Sequence, residues 1–237
     1  MPKSDAGLLH VAPEPPAFQR ARRPEQRELR RQEILVAAEA LLGEMPAEKI
    51  SLRELARRLG VSKTHVVRYF ETRDGVFLGL LERMRLAWIE ALAGEWPAPP
   101  CEPGQVIRAW VDSLAARPVL CQLWSLLPSV LERNVSSEAV HTYKLSYQEH
   151  RARLAKAVGE RVPALAEEDA IRLTDYAVVV LVGLWPFGNP SPAVVEATAD
   201  PRLASSRVDF ATMYGEMLGT MLAGLLARKP SPEGRTK

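Results

Sequence analysis

Cysteine is scarce. Two residues, Cys101 and Cys121, in a chain of 237 exclude a disulfide-stapled scaffold. Together with His141 and His150 they match no common zinc-ligand spacing. Charge of one sign is also lacking, because the formal net charge is only +2. The chain as a whole is therefore not built to hold a polyanion. Aromatic residues make up only 6%. The longest apolar run, Tyr176 to Phe187, is too short to span a bilayer. The first residues, MPKSDAGLLHVAPEPPAFQRARRPEQ, hold no apolar core of signal-peptide length. These absences set the expectation of a cytoplasmic protein with no membrane partner. No phosphate-binding glycine loop, nucleophile elbow or paired zinc histidines on a helix occur. The expectation is a protein that is not an enzyme, with no catalytic residue, metal or cofactor.

What is present is apolar periodicity. Apolar residues reach 47%, enough for a core. Strand alternation and hairpin signals are missing, so the class is all-α with about nine helices. Residues 1–27 read as a disordered arm, because Pro13, Pro15, Pro16 and Pro24 oppose helix and little there can be buried. The arm ends on the basic Arg20, Arg22 and Arg23. Helical spacing begins near Glu28, with Ile34, Ala38, Leu41 and Leu42 on one stripe, and stops at Gly43 and Pro46. Ser51-Leu52-Arg53-Glu54 has the form of a capping box and starts a second helix, which ends at Gly60. Ser62 caps a third helix through Tyr69, and Thr72 a long fourth one to about Gly94. Val61, Val66 and Phe70 are expected to face a small core.

The segment LGVSKTHVVRYFETRDGVF, residues 59–77, is the informative one. Two short helices joined by a tight turn at Leu59-Gly60-Val61-Ser62 form a helix-turn-helix layout. The second helix of such a pair lies in the DNA major groove. Lys63, Thr64, His65 and Arg68 are left on its outer face, where basic and hydroxyl side chains meet base edges. Ser62 and the N–H groups at the helix start suit a phosphate. Charge agrees: residues 18–73 hold 13 Lys and Arg against 8 Asp and Glu, whereas residues 81–237 hold 17 against 18.

With EILVAAEALL, SLRELARRLGVS, VVRYF and ETRDGVFLGLL in place, residues 29–81 resemble the tetracycline-repressor (TetR) family of transcriptional regulators. The resemblance implies a three-helix DNA-binding domain at residues 28–74. A helical ligand-binding and dimerisation domain at 75–228 and a disordered tail at 229–237 complete the chain. It adds Ser51, Tyr69 and Arg73 to Ser62, Lys63, Thr64, His65 and Arg68 as DNA-contacting positions. Val67 stands where the family usually has tyrosine, Thr64 where it often has glycine, and Arg73 where it usually has lysine. The partners implied are double-stranded operator DNA, a second copy of the chain and a small-molecule effector. The function implied is a ligand-released repressor; the alternative is a helical adaptor that does not bind DNA.

The remaining two-thirds carry weaker signals. Helical segments run over Gln105–Ala116, Val119–Leu127, Ser136–Gly159, Glu167–Trp185 and Ser206–Ala227, with a proline-rich loop before the last. The last helix bears Phe210, Met213, Met217, Met221 and Leu225, and a small-residue series Gly215, Gly219 and Ala223 expected at the dimer interface. Trp110, Cys121, Trp124, Tyr143, Tyr147 and Trp185, with His150, Arg172 and Asp175 as polar contacts, are the candidate lining of an effector cavity.

Overall fold

The computed structural model describes the backbone of residues 17–228 and the side chains of residues 24–228. Ten α-helices occur among the described residues, and no strand. The first four are α1 (Ala17–Glu44), α2 (Leu52–Leu59), α3 (Lys63–Val67) and α4 (Arg73–Glu95). They are followed by α5 (Pro103–Ala115), α6 (Pro118–Leu126), α7 (Ser137–Arg161) and α8 (Glu167–Gly188). The short α9 (Pro192–Ala197) and the closing α10 (Phe210–Leu226) complete the set.

Three local expectations change. The first helix begins at Ala17, not near Glu28, and runs through Pro24. Proline's fixed φ is compatible with helix, although it forfeits its own N–H bond and its ring crowds the carbonyl four residues back. Arg20, Arg22 and Arg23 therefore sit on helical backbone; residues 1–16 of the expected arm, and the tail 229–237, lie outside the described residues. The proline-rich stretch after α8 contains α9 and a 3-10 turn at Pro201–Ser206, and the last helix starts only at Phe210, capped by Asp209. Finally, α8 is longer than the uninterrupted apolar run implied, and by length and composition alone is long and apolar enough to cross a membrane, as core helices can be. Here one face of it packs on α6, α7 and α10.

The N-terminal unit is small and closed. Ile34, Leu35, Ala38, Leu41 and Leu42 of α1 meet Leu55 and Ala56 of α2, Val66 of α3 and Phe70, all buried. Arg31 closes the edge: its guanidinium lies 4.5 Å from the Phe70 ring and donates to the Tyr69 carbonyl at 3.2 Å. Helices α2, α3 and α4 are each started by a side chain. The Ser51 hydroxyl accepts from Glu54 N–H at 3.2 Å, Ser62 from His65 N–H at 3.1 Å, and Thr72 from Gly75 N–H at 2.9 Å. Only this half of the expected capping box forms, because the Glu54 carboxylate turns to Arg57.

Helix α4 joins the two parts of the molecule. Val76, Phe77, Leu80 and Leu81 are buried near its start, and Trp88 and Leu92 further on. It packs on α1 at one end and on α6 and α7 along its length. A second tie spans the same junction: the Thr72 hydroxyl donates to the Asn134 carbonyl at 3.0 Å, in the turn that precedes α7. Thr72 thus caps α4 and fixes α7's entry to it.

Replacing Thr72 by alanine removes both bonds. Unfolding in urea should show a loss of about 1–2 kcal/mol, with Thr72→Ser retaining most of it. An alanine variant as stable as the parent is the outcome that refutes this account of the junction.

Candidate nucleic-acid interface and effector site

The turn between α2 and α3 depends on Gly60, whose φ of 67° lies in the left-handed region. Val61 N–H then bonds the Ala56 carbonyl at 3.0 Å, and Gly60 N–H the Arg57 carbonyl at 3.2 Å. This is a Schellman closure that satisfies the end of α2. It also corrects one expectation. Val61 is exposed, since its backbone is committed to that closure and its side chain turns outward, while Val66 and Phe70 alone enter the core.

The outer face of α3 is then free. Lys63, Thr64, Val67 and Arg68 are exposed, and His65 and Tyr69 half-buried, their rings 5.4 Å apart. Ser51 and Ser62 are exposed at the starts of α2 and α3. Each uses its oxygen as an acceptor for the cap, which leaves the hydroxyl proton for another acceptor. Arg68 and Tyr69 border a depression shared with Gln26, Arg27, Arg30 and Glu33 of α1. Arg73 is set apart from this group. It is half-buried, donates to Asp74 at 2.8 and 3.0 Å, and lies 5.6 Å from the Phe77 ring.

The candidate effector residues divide. Trp110, Trp124, Tyr143 and His150 are buried in the C-terminal core, with Tyr147 half-buried beside Tyr143. Trp88 of α4 joins them, 5.7 Å from Trp124 and 6.4 Å from Trp110. Cys121 is buried, its thiol bonded to the Leu114 carbonyl and pushed up to about 12 by burial, so it is a small apolar filler. Arg172 is on the surface with Asp169 and Glu168, and Asp175 pairs with Arg151 at 2.9 Å. Trp185 packs on Phe210 at 4.9 Å, near the end of α8. The structure does not bring Arg172 or Trp185 to the aromatic cluster.

The sequence reading missed the residue at the centre of that cluster, Arg85. It is 1% exposed, with Nε donating to His150 Nδ1 at 3.0 Å and Nη2 3.4 Å from the Ser146 hydroxyl. A signal existed: Leu81, Arg85, Trp88 and Leu92 share one helix face, so a charge falls in an apolar stripe. Burial pushes the Tyr143 hydroxyl well up and lowers His150, whose protonation the Arg85 charge opposes further. Among the described residues, no group of three His, Cys, Asp or Glu side chains is placed to hold a metal ion.

The small-residue series of α10 has a different neighbour from the one expected. Gly215, Gly219 and Ala223 line a cleft of about 600 Å³ against Pro103, Ile107 and Val111 of α5 in the same chain. The exposed apolar side chains are instead Tyr176, Val179 and Phe187 on α8 and Met213 and Met217 on α10.

Comparison with known proteins matches both parts. Residues 34–80 fit the family model for bacterial regulatory proteins of the tetR family. Residues 82–229 fit that for the tetracyclin repressor-like C-terminal domain. A nucleoid occlusion factor, SlmA, from Idiomarina loihiensis is 41% identical over 58 residues, which is 24% of this chain. The chain spans 30% of the length of that relative. A transcriptional regulator from Rhodococcus sp. Rha1 has a similar structure, with a TM-score of 0.53 at 18% identity over 84% of this chain and 99% of that one. A regulator structure from Pseudomonas aeruginosa PAO1 gives 0.50 at 19%, over 84% and 91%. At such identities the likeness is one of fold.

The lowered His150 has a pH consequence. Its folded form binds protons less readily than the unfolded chain, so stability is full above the usual imidazole value and is lost as pH falls below it. Arg85 and Arg153 oppose protonation, and Glu82 and Glu149 favour it only weakly. Thermal melting should therefore drop between about pH 7 and pH 5. His150→Asn, which keeps an acceptor for Arg85, should flatten that drop; an unchanged slope counts against the assignment.

Proposed function

We infer that this chain, which belongs to the TetR family of bacterial regulatory proteins, is a dimeric repressor that leaves its operator when a small molecule enters the C-terminal core. The observation that carries the reading is the exposed face of α3, with Lys63, Thr64 and Arg68 outward on a helix started by the exposed Ser62. Lys and Arg there suit guanine edges, and Thr a base edge or a thymine methyl. Ser51, Ser62 and Tyr69 are assigned to phosphates, with His65 beside Tyr69 at the same surface. Arg73 contributes only if its pairing with Asp74 opens. Such a protein acts where the chromosome is, in the cytoplasm.

A dimer follows from the apolar faces. Val179 is 71% exposed and Phe187 68%, on a helix that packs side by side with α10 and its Met213 and Met217. Two such pairs related by a two-fold axis bury these side chains in a four-helix contact. The same axis presents two α3 helices to half-sites one helical turn, or a multiple of it, apart. Release follows from α4 and the Thr72–Asn134 bond, which tie the position of α3 to the packing of α7. An effector that prefers the packing with the wrong α3 separation weakens DNA binding, and DNA weakens effector binding equally.

Footprinting of the DNA upstream of the coding region tests the reading directly. Lys63→Ala and Arg68→Ala should each cost about 1–3 kcal/mol of operator affinity if they contact a base, with relaxed preference at one position. Unchanged affinity and preference in both refutes the interface.

The dimer has its own test. Val179→Arg should shift sedimentation toward monomer while helical circular dichroism is kept. Gly219→Leu, which enters the open cleft against α5, should leave the assembly intact. The opposite pattern places the interface on the small-residue series instead.

A further inference from the structure

The C-terminal core holds a permanent cation with no anion beside it. A guanidinium stays charged at any physiological pH, and Arg85 is 1% exposed. Its Nε is used by the neutral Nδ1 of His150, and its Nη2 has only a long contact to Ser146. Nη1 is buried without a partner. Among the described residues no carboxylate forms an ion pair with it; Glu82, one turn earlier on α4 and half-buried, attracts it only at longer range. Burial depresses the guanidinium, and the Tyr143 hydroxyl and Glu82 offset this only in part. The rings of Tyr143 and Tyr147 flank it at 4.9 and 5.2 Å.

Other buried polar groups of the C-terminal core lack partners as well. The Tyr143 hydroxyl and the Trp124 indole N–H are also buried without partners. Arginine and indole nitrogens only donate, and buried donors left unpaired are rare in folded proteins. A cleft of about 320 Å³ between the two parts of the molecule is lined by Tyr143, Arg31, Glu71, Glu82 and Glu138, with Arg85 behind the Tyr143 ring. The Tyr143 ring that lines it is the one that stacks on Arg85.

Resting on the regulator reading above, we propose that the effector is an organic monocarboxylate whose carboxylate pairs with Arg85 beside the Tyr143 hydroxyl. A carboxylate only accepts, and it neutralises one charge. His150 is held neutral, so the site offers one cation and not two. A phosphate dianion would leave an excess negative charge among indole and phenol rings. The body of the ligand occupies the cleft beside Tyr143, against Phe70, Leu78 and Val135. A ligand bound there touches α4 and α7, the two helices joined through Thr72 and Asn134.

The test uses the full-length dimer and thermal shift with calorimetry. The probes are octanoate, dodecanoate and phenylpropanoate, each against its primary amide, with chloride and phosphate at matched ionic strength. At least one carboxylate should raise the melting temperature in a saturable way, and its amide much less. Arg85→Met should weaken that carboxylate about tenfold to a hundredfold. The ligand-free melting temperature of this variant should be no lower than that of the parent, since the charge removed was uncompensated. Tyr143→Phe should weaken the same carboxylate severalfold, and it decides the matter if Arg85→Met does not fold. The proposal fails if no carboxylate shifts the parent, if amides match acids, if chloride or phosphate alone reproduces the shift, or if folded variants bind as the parent does. None of these readouts involves DNA. Loss of operator binding by the ligand-free parent, with carboxylate shifts intact, refutes the regulator reading alone.

Discussion

Helix α4 is the constraint on which the other parts depend. At 23 residues it is about 35 Å long, and it has no free end to adjust. Its start is buried against the reading domain through Val76, Phe77 and Leu80, and its middle against the C-terminal core through Trp88 and Leu92. A helix buried at both ends moves as a rod, because interiors are close-packed and deform little. Any change in how α7 lies on α4 is therefore carried to α3. The Thr72–Asn134 bond adds a second, shorter connection at the end nearest the DNA face.

The two cores are different in kind. The reading domain is closed mainly by aliphatic side chains from α1 and the two short helices α2 and α3, with one arginine, Arg31, covering Phe70 at the edge. Among the described residues this unit has no buried polar side-chain atom left without a partner. The C-terminal core is built from Trp88, Trp96, Trp110 and Trp124 in a chain of ring contacts from 5.4 to 6.4 Å. Only the Trp88 indole finds an acceptor, the Ser113 hydroxyl at 3.0 Å; the other three do not. Unpaired donors around a buried guanidinium cost stability, and that cost is the kind that functional sites carry.

The surface of the C-terminal part divides likewise. The cleft between α5 and α10 is internal to the subunit, with Gly215 close enough that a Cβ there would sit 3.5 Å from Val111. The neighbouring face carries Tyr176, Val179, Met213 and Met217, all exposed among the described residues. Gly188 shows how close the local packing already is, since a Cβ there would lie 2.7 Å from that of Phe210. The α8–α10 pair is a rigid unit within the subunit, with Tyr214 donating to the Ala177 carbonyl at 3.0 Å.

By itself the sequence determined where α2, α3 and α4 start, the side chains that cap them, and the turn between α2 and α3. Ser51, Ser62 and Thr72 make the caps expected of them, and Gly60 has the positive φ that its place after Leu59 implied. These are legible because capping and turn chemistry are local, settled within three or four residues. The outward set on α3 was legible for the same reason, as periodicity fixes one face once the other is buried. Only the tertiary structure decided which neighbour each face of α8 and α10 meets. A stripe of small residues permits close approach without naming the partner; here Gly215 approaches α5, while Gly219 and Ala223 border an open cleft. It also decided that Arg73 is held by Asp74, that Arg172 and Asp175 lie in surface pairs, and that Trp185 packs on Phe210. Arg85 makes the same point most sharply. Its place in an apolar stripe could be read from spacing, but its lack of a counter-ion depends on which side chains α6 and α7 bring to it. Charge compensation is a property of atoms far apart in the chain, so only the folded molecule can show where it is missing.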